Sequence, residues 1–247
     1  RRVFRLFMLT FFCRAIIRKT AKPIKQFGEA AREVAEGNLN AILPDIRTND
    51  ELSSFHQAFS YMQKSLGDYI TELKTTTSIK ERMEGELHVA RRIQMGMIPK
   101  IFPAFPERAE LDLYAYLRPA REVGGDLYDF FVQDEKLFFV VGDVSGKGVP
   151  ASLVMAITCR LVRLIAQHSS SPAEIARTLN DSLAAENDTN MFVTMFIGVL
   201  DLKTGKLRYC TAGHNEPVLA LPGGSCEFQK VIPNLPIAIF DGFKFQE

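Results

Sequence analysis

The sequence predicts an α+β chain whose first third is all helix and whose remainder mixes strands with helices. Three observations predict it. Apolar residues recur at a spacing of three to four through much of residues 16–92. Pro99, Pro103 and Pro106 then end helix formation. Beyond them, short strand-like runs surround two helices without a regular β-α alternation, which argues against a doubly wound sheet.

The chain has 247 residues, enough for a large domain and a smaller one, and its 47% hydrophobic and 24% charged content is that of a globular protein. The net charge of +1 selects no partner. Its distribution says more. Arg1, Arg2, Arg5, Arg14, Arg18, Lys19, Lys22 and Lys25 all precede the first acidic residue, Glu29. Inside that basic cluster lies the apolar run 6–12, far shorter than the roughly 20 residues a spanning helix needs. With Arg rather than Met at position 1, residues 1–13 read as the cytoplasmic end of a transmembrane helix, or as a short amphipathic helix on a surface. The expectation is a chain at the cytoplasmic side of an inner or plasma membrane, with no nucleic-acid partner. Cys13, Cys159, Cys210 and Cys226 form no C-x-x-C pair and read as reduced thiols, two or three of them buried.

From residue 16 to Gly37, Ile16, Ile17, Ile24, Phe27, Ala31 and Val34 mark a helix. Pro23 interrupts it or lies in its first turn, and Gly37-Asn38 stops it. A non-helical connector over 39–49 follows. Asp50-Glu51 opens a second helix with acidic groups at its positive end, and Leu52, Phe55, Phe59, Met62 and Leu66 form its seam. The seam continues less strictly through Ile70, Leu73, Met83 and Leu87. Thr75-Thr76-Thr77 and Gly85 weaken it, so residues 69–92 read as a helical linker, either switchable or passive.

In the second part, strands are predicted over 111–117, 127–132, 137–141, 192–200 and 207–210, with a hairpin turn at residues 201–205. One helix runs over 150–167, with Leu153, Ile157, Leu161 and Leu164 on one face and Pro150 at its first position. A second runs over 172–185, with Ser171 as N-cap and Glu174 completing a capping box.

Two segments carry chemistry. Glu122-Val123-Gly124-Gly125-Asp126-Leu127-Tyr128-Asp129 and Val141-Gly142-Asp143-Val144-Ser145-Gly146-Lys147-Gly148 each set a carboxylate beside glycines at a strand end. Glycine allows close backbone approach, and a carboxylate there suits a hard cation such as Mg²⁺ or Mn²⁺. Read from the residues alone, Asp126 and Asp143 either meet at one metal site or merely cap two turns.

Two resemblances add to this. Pro23, Glu36-Gly37-Asn38-Leu39, Asn49-Asp50-Glu51-Leu52 and the Phe59, Met62, Leu66 seam resemble a HAMP domain over residues 14–68. That implies a parallel four-helix bundle, hence a homodimer, which relays a signal to an output domain.

Residues from about 87 onward resemble the SpoIIE/RsbU-type branch of the metal-dependent protein phosphatases, the protein phosphatase 2C superfamily, with the domain set at 93–247. The matching segments are Ala90-Arg91-Arg92-Ile93-Gln94 with Met97-Ile98-Pro99, Arg118-Pro119-Ala120 with residues 123–129, residues 142–151, Thr194, and Thr211-Ala212-Gly213-His214-Asn215-Glu216-Pro217. The resemblance implies an α-β-β-α sandwich, of which this chain carries part, and two divalent ions, Mn²⁺ or Mg²⁺. It implies hydrolysis of phosphoserine or phosphothreonine by a metal-activated water, without a covalent phosphoenzyme. The substrate class it implies is a phosphorylated anti-sigma-factor antagonist. Asp126 and Asp143 are the implied metal and catalytic residues, Val144 lends its main-chain carbonyl, and Gly125, Gly142, Gly146, His214 and Asn215 are further motif positions. His214 either supports the fold or acts as an acid near the leaving group.

The family's Thr-Asp-Gly segment and later Asp-rich turn have no counterpart here. The expectation is that the remaining ligands lie past residue 247, and Asp241 receives no metal role. The alternatives are a non-catalytic dimeric scaffold and a diguanylate cyclase. Gly124-Gly125-Asp126 imitates the cyclase signature, but Leu127-Tyr128 do not continue it. Lys147 and Gly148 break a P-loop pattern counted from Gly142, and no helix presents a phosphoacceptor His beside an acid.

Overall fold

The computed structural model describes residues 2–46, 50–185, 187–221 and 223–247. The predicted opening at Asn49 and the end of the connector lie outside the described residues. The chain divides into two units, residues 1–83 and 84–247.

In the first unit, helix α1 (Arg2–Ile16) passes into a π-helical turn (Ile17–Ala21) and then α2 (Lys22–Ala35). Helix thus covers the stretch before residue 16 that both readings of residues 1–13 expected to be helical. Pro23 lies in the first turn of α2, one of its two expected places. Proline lacks an N–H and crowds the carbonyl four residues back, here Lys19, and the wider π turn at that place accommodates both. The predicted stop forms as a Schellman pair. Asn38 N–H donates to Glu33 O at 2.9 Å and Gly37 N–H to Val34 O at 3.0 Å. Leu52 N–H donates to the Asp50 carboxylate at 3.2 Å where α3 (Glu51–Gly96) begins.

The α3 helix runs unbroken through the threonines and Gly85. Thr71, Thr75 and Thr77 each give their hydroxyl to the carbonyl four residues back, so each hydroxyl is satisfied within the helix. Phe27 of α2 packs on Phe55 and Phe59 of α3, with ring centres 4.9 and 6.0 Å apart. Phe27, Ala30, Ala41 and Phe59 are buried, while Ile24, Phe55 and Met62 stay about half exposed.

The second unit holds a four-stranded antiparallel sheet in the order β1 (Leu127–Gln133), β2 (Lys136–Val144), β3 (Val193–Asp201), β4 (Leu207–Ala212). A separate hairpin pairs β5 (Val218–Ala220) with β6 (Cys226–Phe228). Asp201 caps the β3–β4 turn, accepting from the Thr204 N–H at 2.8 Å. Helices α4 (Val149–Ala166) and α5 (Pro172–Ala184) pack on one sheet face, which buries Leu127, Val140, Met195 and Ile197.

Three expectations need correction. Residues 111–117 form no strand. Leu111, Leu113, Ala115 and Leu117 pack on the core while the residues between are exposed, so the alternation is real, but no ladder partner lies beside it among the described residues. In α4, three residues of the predicted stripe, Leu153, Ile157 and Leu164, are exposed, at 60, 52 and 54%, while Leu161 is half-buried against the core. The buried face is Ala151, Met155, Thr158, Cys159, Val162 and Ala166. The capping box at α5 is half formed. Glu174 N–H donates to Ser171 Oγ, but the Glu174 carboxylate accepts from Ser169 rather than from the cap's own N–H.

Candidate active site

The sheet register brings the two carboxylates together. Leu127 stands opposite Gly142, so one residue further along Asp126 stands opposite Asp143. Both lie on the sheet face away from α4, at the strand ends. Gly125 makes the approach possible. A β-carbon there would sit 2.7 Å from Val144 O and 3.0 Å from Val144 Cβ, so any side chain would push the Asp126 loop off β2. Val144 N–H reaches back to Gly125 O at 3.4 Å, and the Val144 carbonyl therefore also borders this loop.

Asp126 and Asp143 share a cleft of about 260 Å³ with Arg121 and Lys147. Gly146 and Gly148, both with positive φ, turn the chain around its rim before α4 begins. Partial burial, and then the charge and hydrogen bond of Asp126, push the Asp143 carboxyl above its ordinary range. Since the side chain keeps solvent access, the neighbouring carboxylate is the cause that matters most. Two acids held face to face are the arrangement that a cation relieves.

On the adjoining strand Thr194 stands opposite Asp143. Its hydroxyl donates to the Asp143 main-chain carbonyl at 3.3 Å and lies 3.2 Å from His214 Nδ1. A hydroxyl has one proton. With that proton on the carbonyl, Nδ1–H donates to Thr194; with it on the ring, Nδ1 accepts from Thr194. Burial holds His214 below the usual imidazole range, against the pull of Asp143. Asn215 next to it is exposed. Gly142 lies buried inside β2, opposite Leu127.

Residues 15–68 match the HAMP domain, and residues 133–247 match Stage II sporulation protein E (SpoIIE). The chain joins a HAMP domain to a SpoIIE-type domain. Among curated proteins it is similar to Protein IcfG of Synechocystis sp., 29% identical over 83% of this chain and 36% of IcfG. It also resembles Phosphoserine phosphatase RsbU of Bacillus subtilis, 27% identical over 58% of this chain and 42% of RsbU. The chain therefore spans less than half the length of these relatives. The solved SiaA-PP2C domain of Pseudomonas aeruginosa shares the fold, with a TM-score of 0.54 over 66% of this chain and 65% of that one, at 20% identity.

Within the SpoIIE-type domain, Asp143, Val144, Gly142, Gly146, His214 and Asn215 fall inside the matched span, while Gly125 and Asp126 precede it. Sequence reading missed Arg121, Lys147 and the Thr194–His214 contact. The two cations lie beside motif glycines, which was the available signal. The Thr194–His214 contact needs the β3–β4 register, which no motif prints. Of the described helices, only α4 is long and apolar enough to cross a membrane, and it packs on the sheet.

Proposed function

We propose that this is a signal-controlled serine/threonine protein phosphatase, and that Asp126 and Asp143 are ligands of a divalent metal site. The observation that carries the reading is the opposed carboxylate pair in a cleft also lined by Arg121 and Lys147. Two carboxylates plus a main-chain carbonyl from Val144 are an all-oxygen donor set, which fits Mn²⁺ or Mg²⁺ with several waters retained. Among the described residues no cluster of three or more His, Cys, Asp and Glu supplements it. When bound, such ions supply an activated water and neutralise phosphoryl charge.

The chain's own residues do the rest. Asp126 and Asp143 would hold the ions at the strand ends, and Gly125 keeps the two acids opposed. Arg121 and Lys147 offset the charge of an incoming phosphate monoester. Thr194 holds the ring of His214 through the 3.2 Å contact to Nδ1, which suits a supporting role. The substrate class is phosphoserine or phosphothreonine in a protein, with an anti-sigma-factor antagonist as the specific expectation. RsbU, to which the chain is similar, is described as a phosphoserine phosphatase.

The same reading makes the HAMP domain a homodimeric relay at the inner face of a membrane. The half-exposed Phe55, Ile24 and Met62 beside the Phe27–Phe59 pair are the surface that a second copy would cover. Phosphate release from a phosphoserine protein tests the reading. Release that requires Mn²⁺ and falls at least about 100-fold in both Asp126→Ala and Asp143→Ala is the expected result. No release from the folded, metal-loaded dimer would instead favour a non-catalytic scaffold.

A further inference from the structure

The last turns of α3 reach the Asp126 loop through a buried side chain. Gln94 is 5% exposed. Its amide engages the backbone of Gly124 in both directions. Nε2 donates to Gly124 O at 2.6 Å, and Oε1 accepts from Gly124 N–H at 3.3 Å. A primary amide offers one donor face and one acceptor face, so it takes the place of a ladder partner for a residue that has no strand beside it. Gly124 stands two residues before Asp126.

Two further ties flank this clamp. Arg91 lies 3.7 Å from Glu122, and the Tyr128 hydroxyl donates to Pro99 O at 2.6 Å. The loop that carries Asp126 is thus held on one side by α3, through Gln94 and Arg91, and on the other by Pro99, just past the helix, all within residues 84–247. Packing alone does not require an amide here. A buried polar side chain costs stability unless both its functions are paired, and both of these go to a single backbone residue.

We infer that Gln94 is a positioning residue for the Asp126 loop, and that the end of α3 sets the affinity of the carboxylate pair for a divalent cation through it. Moving the helix end away breaks both bonds at once, frees Gly124 and lets Asp126 leave its place opposite Asp143. This rests on the metal-site reading above, and it names the point where a signal in α3 would reach that site.

The test uses Gln94→Met, which keeps length and volume without either hydrogen-bonding function, and Gln94→Glu, which keeps an acceptor and loses the donor. Hydrogen exchange on the metal-free protein comes first. In both variants, amides of residues 122–126 exchange faster while β2, β3 and α5 keep wild-type protection. Mn²⁺ binding, followed by the free-ion electron paramagnetic resonance signal, weakens about 10–100-fold. Phosphate release returns toward wild type at saturating Mn²⁺, since the ligands themselves are intact.

Unchanged exchange at 122–126 overturns the proposal. So does faster exchange across the whole sheet, which marks a merely structural residue. Faster loop exchange with unaltered Mn²⁺ affinity overturns the link to the metal. A wild-type protein that binds no Mn²⁺ sinks the metal-site reading and that link with it, and the exchange result still decides whether Gln94 holds the loop.

Discussion

The two units solve burial in opposite ways. In residues 84–247 the sheet, α4 and α5 close over a continuous core, in which Leu179, Ile197, Met155 and Val193 have almost no exposure. In residues 1–83 only a few side chains are buried, and half-exposed apolar residues line the same helices. A groove of about 360 Å³ along Ile24, Phe27, Ala31, Leu52 and Phe55 remains open there. The difference teaches that the output unit can hold its fold within one chain, whereas the HAMP helices offer a surface whose stability depends on what covers it.

The sharpest way to break that comparison is a pair of truncations. Leu179→Ala empties a fully buried site and should cost about 2–5 kcal/mol of unfolding free energy, measured by denaturant melts. Phe55→Ala should leave the unfolding of residues 84–247 within about 0.5 kcal/mol, and act instead on the monomer–dimer balance seen by sedimentation. Equal losses in both variants would mean that the units are not separately built.

A smaller loss is expected at Asp129, the one buried acid among the described residues. Asp129 is 3% exposed, and Arg163 of α4 grips it with two bonds of 2.6 Å while lying 4.9 Å from the centre of the Phe131 ring. Removing one partner of a fully buried pair costs about 3–5 kcal/mol. Arg163 is 40% exposed, so water softens the loss, and Arg163→Ala should fall at or below the lower end of that range. Arg163→Lys should recover only part of it, having lost the fork.

The mildest test needs no mutation. Burial pushes the Cys159 and Cys210 thiols up to about 12, while Cys13 and Cys226 are exposed. In the native protein at pH 8, iodoacetamide should label Cys13 and Cys226 and spare the other two, as read by mass spectrometry. Labelling of Cys159 without denaturant would show that the core of the output unit opens readily.

Much of this was legible in the sequence because local chemistry decided it. The Gly37-Asn38 stop, the Asp201 turn and the Ser171 cap each depend on residues within a few positions. Asp126 and Asp143 were legible for the same reason, since their glycines advertise a backbone that must come close. What failed needed the third dimension. The α4 helix carries two apolar stripes, and periodicity does not rank them. The face with Ala151 and Ala166 won because small residues let the helix approach the sheet, leaving the larger Leu153 and Ile157 outside. Residues 111–117 have the alternation of a strand, but a strand also needs a partner, which is not a local property. Gln94 stood in a recognised motif without a role, because its partner lies thirty residues away.

The opposed carboxylates are the central claim, and one thermal-melt series tests them directly. Since Asp143 is held above its ordinary range, ionising it costs more in the folded chain than in the unfolded one, so this pair weakens the fold as pH rises through that range. Asp143→Asn should therefore leave the metal-free Tm unchanged or raised, while abolishing the upward shift that Mn²⁺ gives the wild type. A variant whose metal-free Tm falls while the Mn²⁺ shift persists would contradict the account, and would make Asp143 a turn residue rather than a ligand.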